Sequence, residues 1–149
     1  MEKIESNKSE ICEAILRALP EWFGIENSTK AYIAGVKETI FFAALDAETP
    51  IGFLSLKKHY SSSYEIYVMG IKKEFHGQGI GTKLLEEGEK YLKKIGGKYL
   101  QVKTLSENRP NPHYDKTRAF YIKSGFTPLE EFKSLWDKWN PCLLLIKSL

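Results

Sequence analysis

Cysteine is scarce in this chain. Its 149 residues hold two, Cys12 and Cys142, far apart and with no CxxC partner. That argues against a disulfide framework or a redox motif and leaves both as expected small buried hydrophobes. The three histidines, His59, His76 and His113, are scattered, so no zinc site and no metal are expected. No apolar run approaches the roughly 20 residues that span a bilayer, and no membrane role is expected. The polar stretch Met1 to Ser6 lacks an apolar signal core, which points to a cytoplasmic home. A large excess of one charge is also missing. The net charge of +3 is too small to argue for a nucleic-acid partner.

What is present suits one soluble domain over residues 1–149, with 42 % apolar and 28 % charged residues. A short first strand is expected within Met1 to Ser6. A helix opens at Ser9 with apolar Ile11, Cys12, Ile15, Leu16 and Leu19 near a 3.6 period, and Pro20 stops it. After the aromatic loop at Trp22 and Phe23, Asn27 or Ser28 is expected to cap a second helix to about Val36. Strands follow over 39–45, 51–57 and 64–71, an antiparallel meander. A long amphipathic helix begins at Ile80 and ends at Gly96-Gly97. Its join to a strand over 99–104 implies a parallel pair. Asp115 is expected to cap a short helix that stops at Gly125. Two last strands are expected near 126–132 and 142–147, with Trp136 and Trp139 in the loop between them.

The stretch from Glu65 to Lys94 organises the rest. A strand, then the glycine-rich turn His76-Gly77-Gln78-Gly79-Ile80-Gly81, then a helix make a phosphate cradle of free backbone N–H groups and a positive helix end. The flank from Lys72 to Lys103 is rich in lysine, which suits a polyanion. A Walker A loop fails because Thr82-Lys83 follows Gly81 in the wrong order. A Rossmann turn fails because the glycine spacing is wrong and residues 72–75 separate it from the strand.

The run from Gly70 to Gly81 resembles motif A of the GNAT superfamily of acyl-CoA N-acyltransferases, with Gly79 and Gly81 on the two small-residue positions. Ala119 to Phe126 resembles the family's C-terminal phrase, a tyrosine followed four residues later by Gly-Phe, with the alanine displaced. His76 stands where Gln or Arg is usual, and Tyr114 and Thr117 stand where the family often has Asn and Ala. The resemblance implies a mixed α/β sheet of six to seven strands, about four helices, and two central parallel strands splayed apart.

It also implies a function: transfer of acetyl from acetyl-CoA to a primary amine of a small molecule or peptide, by direct attack in a ternary complex. Met69, Gly70, Ile71, His76, Gly77, Gln78, Gly79, Ile80, Gly81 and Thr82 would then contact the cofactor, with an N–H at or near Ile71 polarising the thioester carbonyl. An amine with a pKa of about 10.4 is neutral in only about one molecule in 2,500 at pH 7, a cost of roughly 4.6 kcal/mol, so the site must take a proton. The resemblance assigns that to Glu65, and protonation of the leaving thiolate to Tyr121. By alternation Glu65 shares a face with Tyr67 and Met69 unless a bulge intervenes. For the acceptor, Trp22, Phe23, Tyr67 and Trp136 are aromatic candidates and Glu21, Glu65 and Asp137 acidic ones, a mix that suits a cationic amine. The alternatives are a non-catalytic CoA-binding module on the same fold, and a nucleotide-binding protein. Monomer and homodimer are both compatible with the sequence.

Overall fold

The computed structural model describes residues 1–149. Seven strands form one sheet: β1 (Glu2–Lys3), β2 (Ile40–Asp46), β3 (Thr49–Tyr60), β4 (Ser63–Ile71), β5 (Tyr99–Leu105), β6 (Thr127–Asp137) and β7 (Asn140–Ser148). Their spatial order is β1-β2-β3-β4-β5-β7-β6. Only β4 and β5 run parallel; every other pair is antiparallel. The helices are α1 (Lys8–Arg17), α2 (Glu26–Gly35), α3 (Ile80–Lys94) and α4 (Pro112–Lys123). The expected mixed sheet and helix number are borne out.

Alternation along the strands loads both faces. Leu54, Leu56, Ile66, Leu100 and Val102 meet Leu84, Leu85 and Leu92 of α3 and Tyr121 of α4 in one cluster. Phe41, Ala43, Phe53 and Val68 meet Cys12, Ile15 and Leu16 of α1 in another. Both cysteines are buried and unpaired, as expected. Helix α3 lies tight on the sheet. A Cβ at Gly88 would stand 2.7 Å from Leu54 Cδ2, so glycine's helix cost, about 1 kcal/mol relative to alanine, is offset by close packing.

Two departures from strand regularity position the site. First, β4 and β5 pair only from Ser63–Tyr99 to Ile66–Val102. Beyond that, Val68–Ile71 and Lys103–Leu105 keep their outer partners but not each other, which is the expected splay. Second, Ser55 pairs with Val68 and Leu56 with Ile66, leaving Tyr67 as an extra, bulged residue. The bulge returns Met69 to the α3 side, where it packs on the larger core cluster. Met69 therefore does not share the face of Glu65 and Tyr67 that simple alternation predicts.

Other boundaries moved for local reasons. Helix α2 starts at Glu26, and neither Asn27 nor Ser28 caps it; instead the Glu26 carboxylate takes two bonds from Arg17, at 2.8 and 2.9 Å. Helix α4 starts at Pro112, not after Asp115. Asn111 Oδ1 accepts from the N–H groups of His113 and Tyr114, a side-chain cap followed by proline at N1. Asp115 is instead an ion-pair partner of Arg118. The end of α4 is as expected: Gly125 has φ 100° and the Phe126 N–H bonds the Tyr121 carbonyl. The last hairpin is longer than expected. Asp137 Oδ1 ties the N–H groups of Trp139 and Asn140, so the strands run to Asp137 and from Asn140. Trp136 is then a strand residue, and only Trp139 lies in the turn.

Candidate active site

The glycine turn is built as an anion cradle. Gly77 and Gly79 have φ of 74° and 77°, a region that L side chains rarely adopt. A Cβ on either would meet nothing within 4 Å, so both positions face open space. None of the backbone N–H groups from Gly77 to Thr82 has an acceptor within the protein; the first bonded donor is Lys83, to Gly79 O at 3.1 Å. Those of Ile80, Gly81 and Thr82 form the positive end of α3. At Gly81 the helix presses close: a Cβ would stand 3.2 Å from Ile71 Cδ1 and 3.3 Å from Phe120. These unpartnered donors and the free strand edges beside them fit a ligand with a pyrophosphate and an extended amide-bearing arm.

His76 has a structural duty in this turn. Its Nε2 lies 2.6 Å from Ile71 O; a carbonyl only accepts, so Nε2 carries the proton. The ring also stands edge-on to Trp22, 5.7 Å between centroids. The imidazole thus braces the turn against the end of β4. Gln78 Nε2 similarly donates to Glu74 O at 3.3 Å.

Tyr121 lies on α4. It is almost wholly buried, packed against Phe120 and Phe126. Its hydroxyl makes no hydrogen bond within the protein, yet no fully covered side-chain polar atom lacks a partner. The hydroxyl therefore reaches open space. Burial first, then Tyr114 and Tyr32, push its ionisation well above the ordinary tyrosine range, so it remains a donor at neutral pH.

Glu65 stands on the other face with Tyr67, 8 % exposed. Its Oε1 lies 2.7 Å from His59 Nε2 and its Oε2 3.2 Å from Lys103 Nζ. Tyr67 lies against α2: its hydroxyl is 3.4 Å from Ala31 O, and a Cβ at Gly35 would overlap it at 2.3 Å. Tyr32 meets the Tyr67 ring edge-on at 5.3 Å and Phe23 at 6.1 Å.

The remaining acceptor candidates disperse. Glu21 pairs with Lys73, and Asp137 is spent on its own turn. Trp136 stands 44 % exposed on the edge strand β6 and contacts none of Trp22, Phe23 and Tyr67. Trp22 is clasped to α4: its indole N–H lies 3.2 Å from both His113 O and Thr117 Oγ1, and Tyr114 Oη donates to Trp22 O at 2.6 Å. Tyr114 and Thr117, the two departures from the family's usual residues, are therefore the pair that holds Trp22. Sequence reasoning also missed Arg118, buried, which donates to Leu105 O at 2.6 Å and closes the free end of β5. The cap at Asn111 was the signal that could have placed it, by fixing the phase of α4.

Comparison with known proteins agrees with this geometry. Residues 9–126 match the Acetyltransferase (GNAT) family. Among curated proteins, the mycothiol acetyltransferase of Corynebacterium efficiens is 30 % identical over 94 residues, 63 % of this chain and 30 % of that protein. The match thus spans less than a third of that relative's length. In fold, the chain is similar to an aminoglycoside 6'-N-acetyltransferase complexed with coenzyme A (TM-score 0.78, 20 % identity, 99 % of this chain and 95 % of that one). It is also similar to the ribosomal-protein-S18-alanine N-acetyltransferase of Escherichia coli (TM-score 0.79, 14 % identity, 99 % and 91 %). With the family matched across most of its length, on the elements that carry the cradle and the splay, the chain belongs to the GNAT acetyltransferase family.

Proposed function

We propose that this chain is an acetyl-CoA-dependent N-acetyltransferase that modifies a primary amine by direct attack in a ternary complex. One observation carries the reading: the unpartnered N–H groups of Gly77 to Thr82 follow, after a short connection, the strand β4 whose end is unpaired from β5. When bound, the donor supplies the acetyl group as a thioester. The N–H cradle holds its pyrophosphate, and the free strand edges hold its amide-bearing arm as they would an added strand. A free N–H of β4 beyond Ile66 polarises the thioester carbonyl.

Glu65 accepts the proton that the amine must lose, and His59, bonded to it and one third exposed, passes that proton to solvent. Tyr121 donates to the departing thiolate. A covalent route through cysteine is disfavoured: burial holds the Cys12 thiol up at about 12 and the Cys142 thiol at about 11, so neither is an available thiolate at pH 7.

The test is to mix acetyl-CoA with a panel of primary amines and follow released CoA and acetylated amine together. Equal amounts of both are expected, and only when amine is present. Binding of ATP or NAD with no binding of acetyl-CoA would sink the reading.

A further inference from the structure

The open side of the sheet is more basic than a cationic acceptor would want. Phe53 packs toward α1 while Leu54 and Leu56 pack toward α3, so Lys57 and His59 of β3 project to the α1–α2 side. There they meet Glu65 of β4 and Lys103 of β5. Lys103 and His59 occupy the two carboxylate oxygens. Lys57 Nζ lies 5.5 Å above the Tyr67 ring and has no carboxylate partner. Three basic groups thus surround one acid. The next carboxylate across this face is Glu130, aligned with Lys103 through Leu144, two strand spacings or about 10 Å away. Beyond β4 the smaller core cluster supplies no cover, and Leu144 and Ile146 of β7 remain half-buried.

We infer that the acceptor is a primary amine carrying an anionic group, a carboxylate or a phosphate, which Lys57 and Lys103 hold while its apolar part lies over Leu144 and Ile146. This rests on the N-acetyltransferase reading above. A single acid with both oxygens engaged leaves no free carboxylate for a second ammonium, so polycationic amines meet net repulsion here. An anion beside Lys57 gains a partner that no protein group provides.

The experiment compares amines on one carbon skeleton, bearing a carboxylate, a phosphomonoester, a neutral amide or a second amine. It is run on wild type, Lys57→Met and Lys103→Met, with kcat/KM read from CoA release and acetyl-CoA affinity read by calorimetry. Lys57 is exposed and unpaired, so its loss leaves no buried charge and the fold intact. The anionic amines should exceed the neutral amide by at least about 10-fold in wild type. That advantage should fall toward unity in both variants while acetyl-CoA affinity stays the same. Which anion is preferred identifies the group. Efficient transfer to the neutral or dicationic amine, or an anion preference untouched in both variants, would overturn the inference and leave the transferase reading standing. Tight acetyl-CoA binding with no transfer to any of the amines would overturn both.

Discussion

The two halves of the proposed site are made from different material. The donor half, from Gly77 to Thr82 with the free edges of β4 and β5, is main chain. The acceptor half, around Glu65, is side chain: His59, Lys103, Lys57 and Tyr67, brought together from three strands. A main-chain cradle needs only particular φ angles and a helix end, so it tolerates wide change in the side chains around it. A side-chain pocket is specific to the residues that build it and can be retuned one at a time. The difference explains how one fold can keep a donor and exchange acceptors.

Tyr121 is the proposed acid for the leaving thiolate, and its removal should have the largest effect. Tyr121→Phe is expected to lower kcat by about 100-fold or more, the range of a lost general acid, with acetyl-CoA affinity within a few-fold of wild type. Equal losses in binding and turnover would assign Tyr121 to donor binding instead. Glu65→Gln should lower kcat/KM for amines by roughly 10- to 100-fold and shift the activity profile to higher pH, where more amine is already neutral; an unshifted profile removes Glu65 from proton transfer.

Outside both halves, Gly88→Ala forces a Cβ against Leu54. It should cost about 1–3 kcal/mol and lower Tm by roughly 3–9 °C without altering acetyl-CoA affinity. The smallest effect is a pH slope. Tyr121 holds its proton in the folded state above the value of about 10 at which the unfolded chain loses it. Stability from this source is complete below pH 10 and falls as pH rises above it. Denaturant midpoints should therefore decline more steeply above pH 10 in wild type than in Tyr121→Phe.

The same division governs what could be read from the sequence. Gly79 and Gly81 stand at fixed offsets from a strand and a helix, so local pattern sufficed to place the cradle. Gly125 was legible because a helix end is also local, whereas Tyr121 stood out only through the resemblance of Ala119 to Phe126. The partners of Glu65 were not, because His59 comes from an irregular strand end and Lys103 from across a parallel pair. Only the register of three strands brings them together. The partners of Glu21 and Asp137 were hidden for the same reason: nothing local to them shows that Lys73 and a hairpin turn engage their carboxylates. The bulge at Tyr67 likewise exists only relative to β3, and it alone decides that Met69 faces α3.

The cradle itself is tested most directly by acetyl-CoA calorimetry on Gly79→Val beside wild type. A β-branched side chain at φ 77° strains the turn and shifts its N–H donors. Wild type is expected to bind one acetyl-CoA per chain and the variant to lose about 100-fold in affinity while retaining its circular dichroism and melting transition. A folded variant that binds acetyl-CoA as tightly as wild type would contradict a donor held by the main chain of residues 77–82.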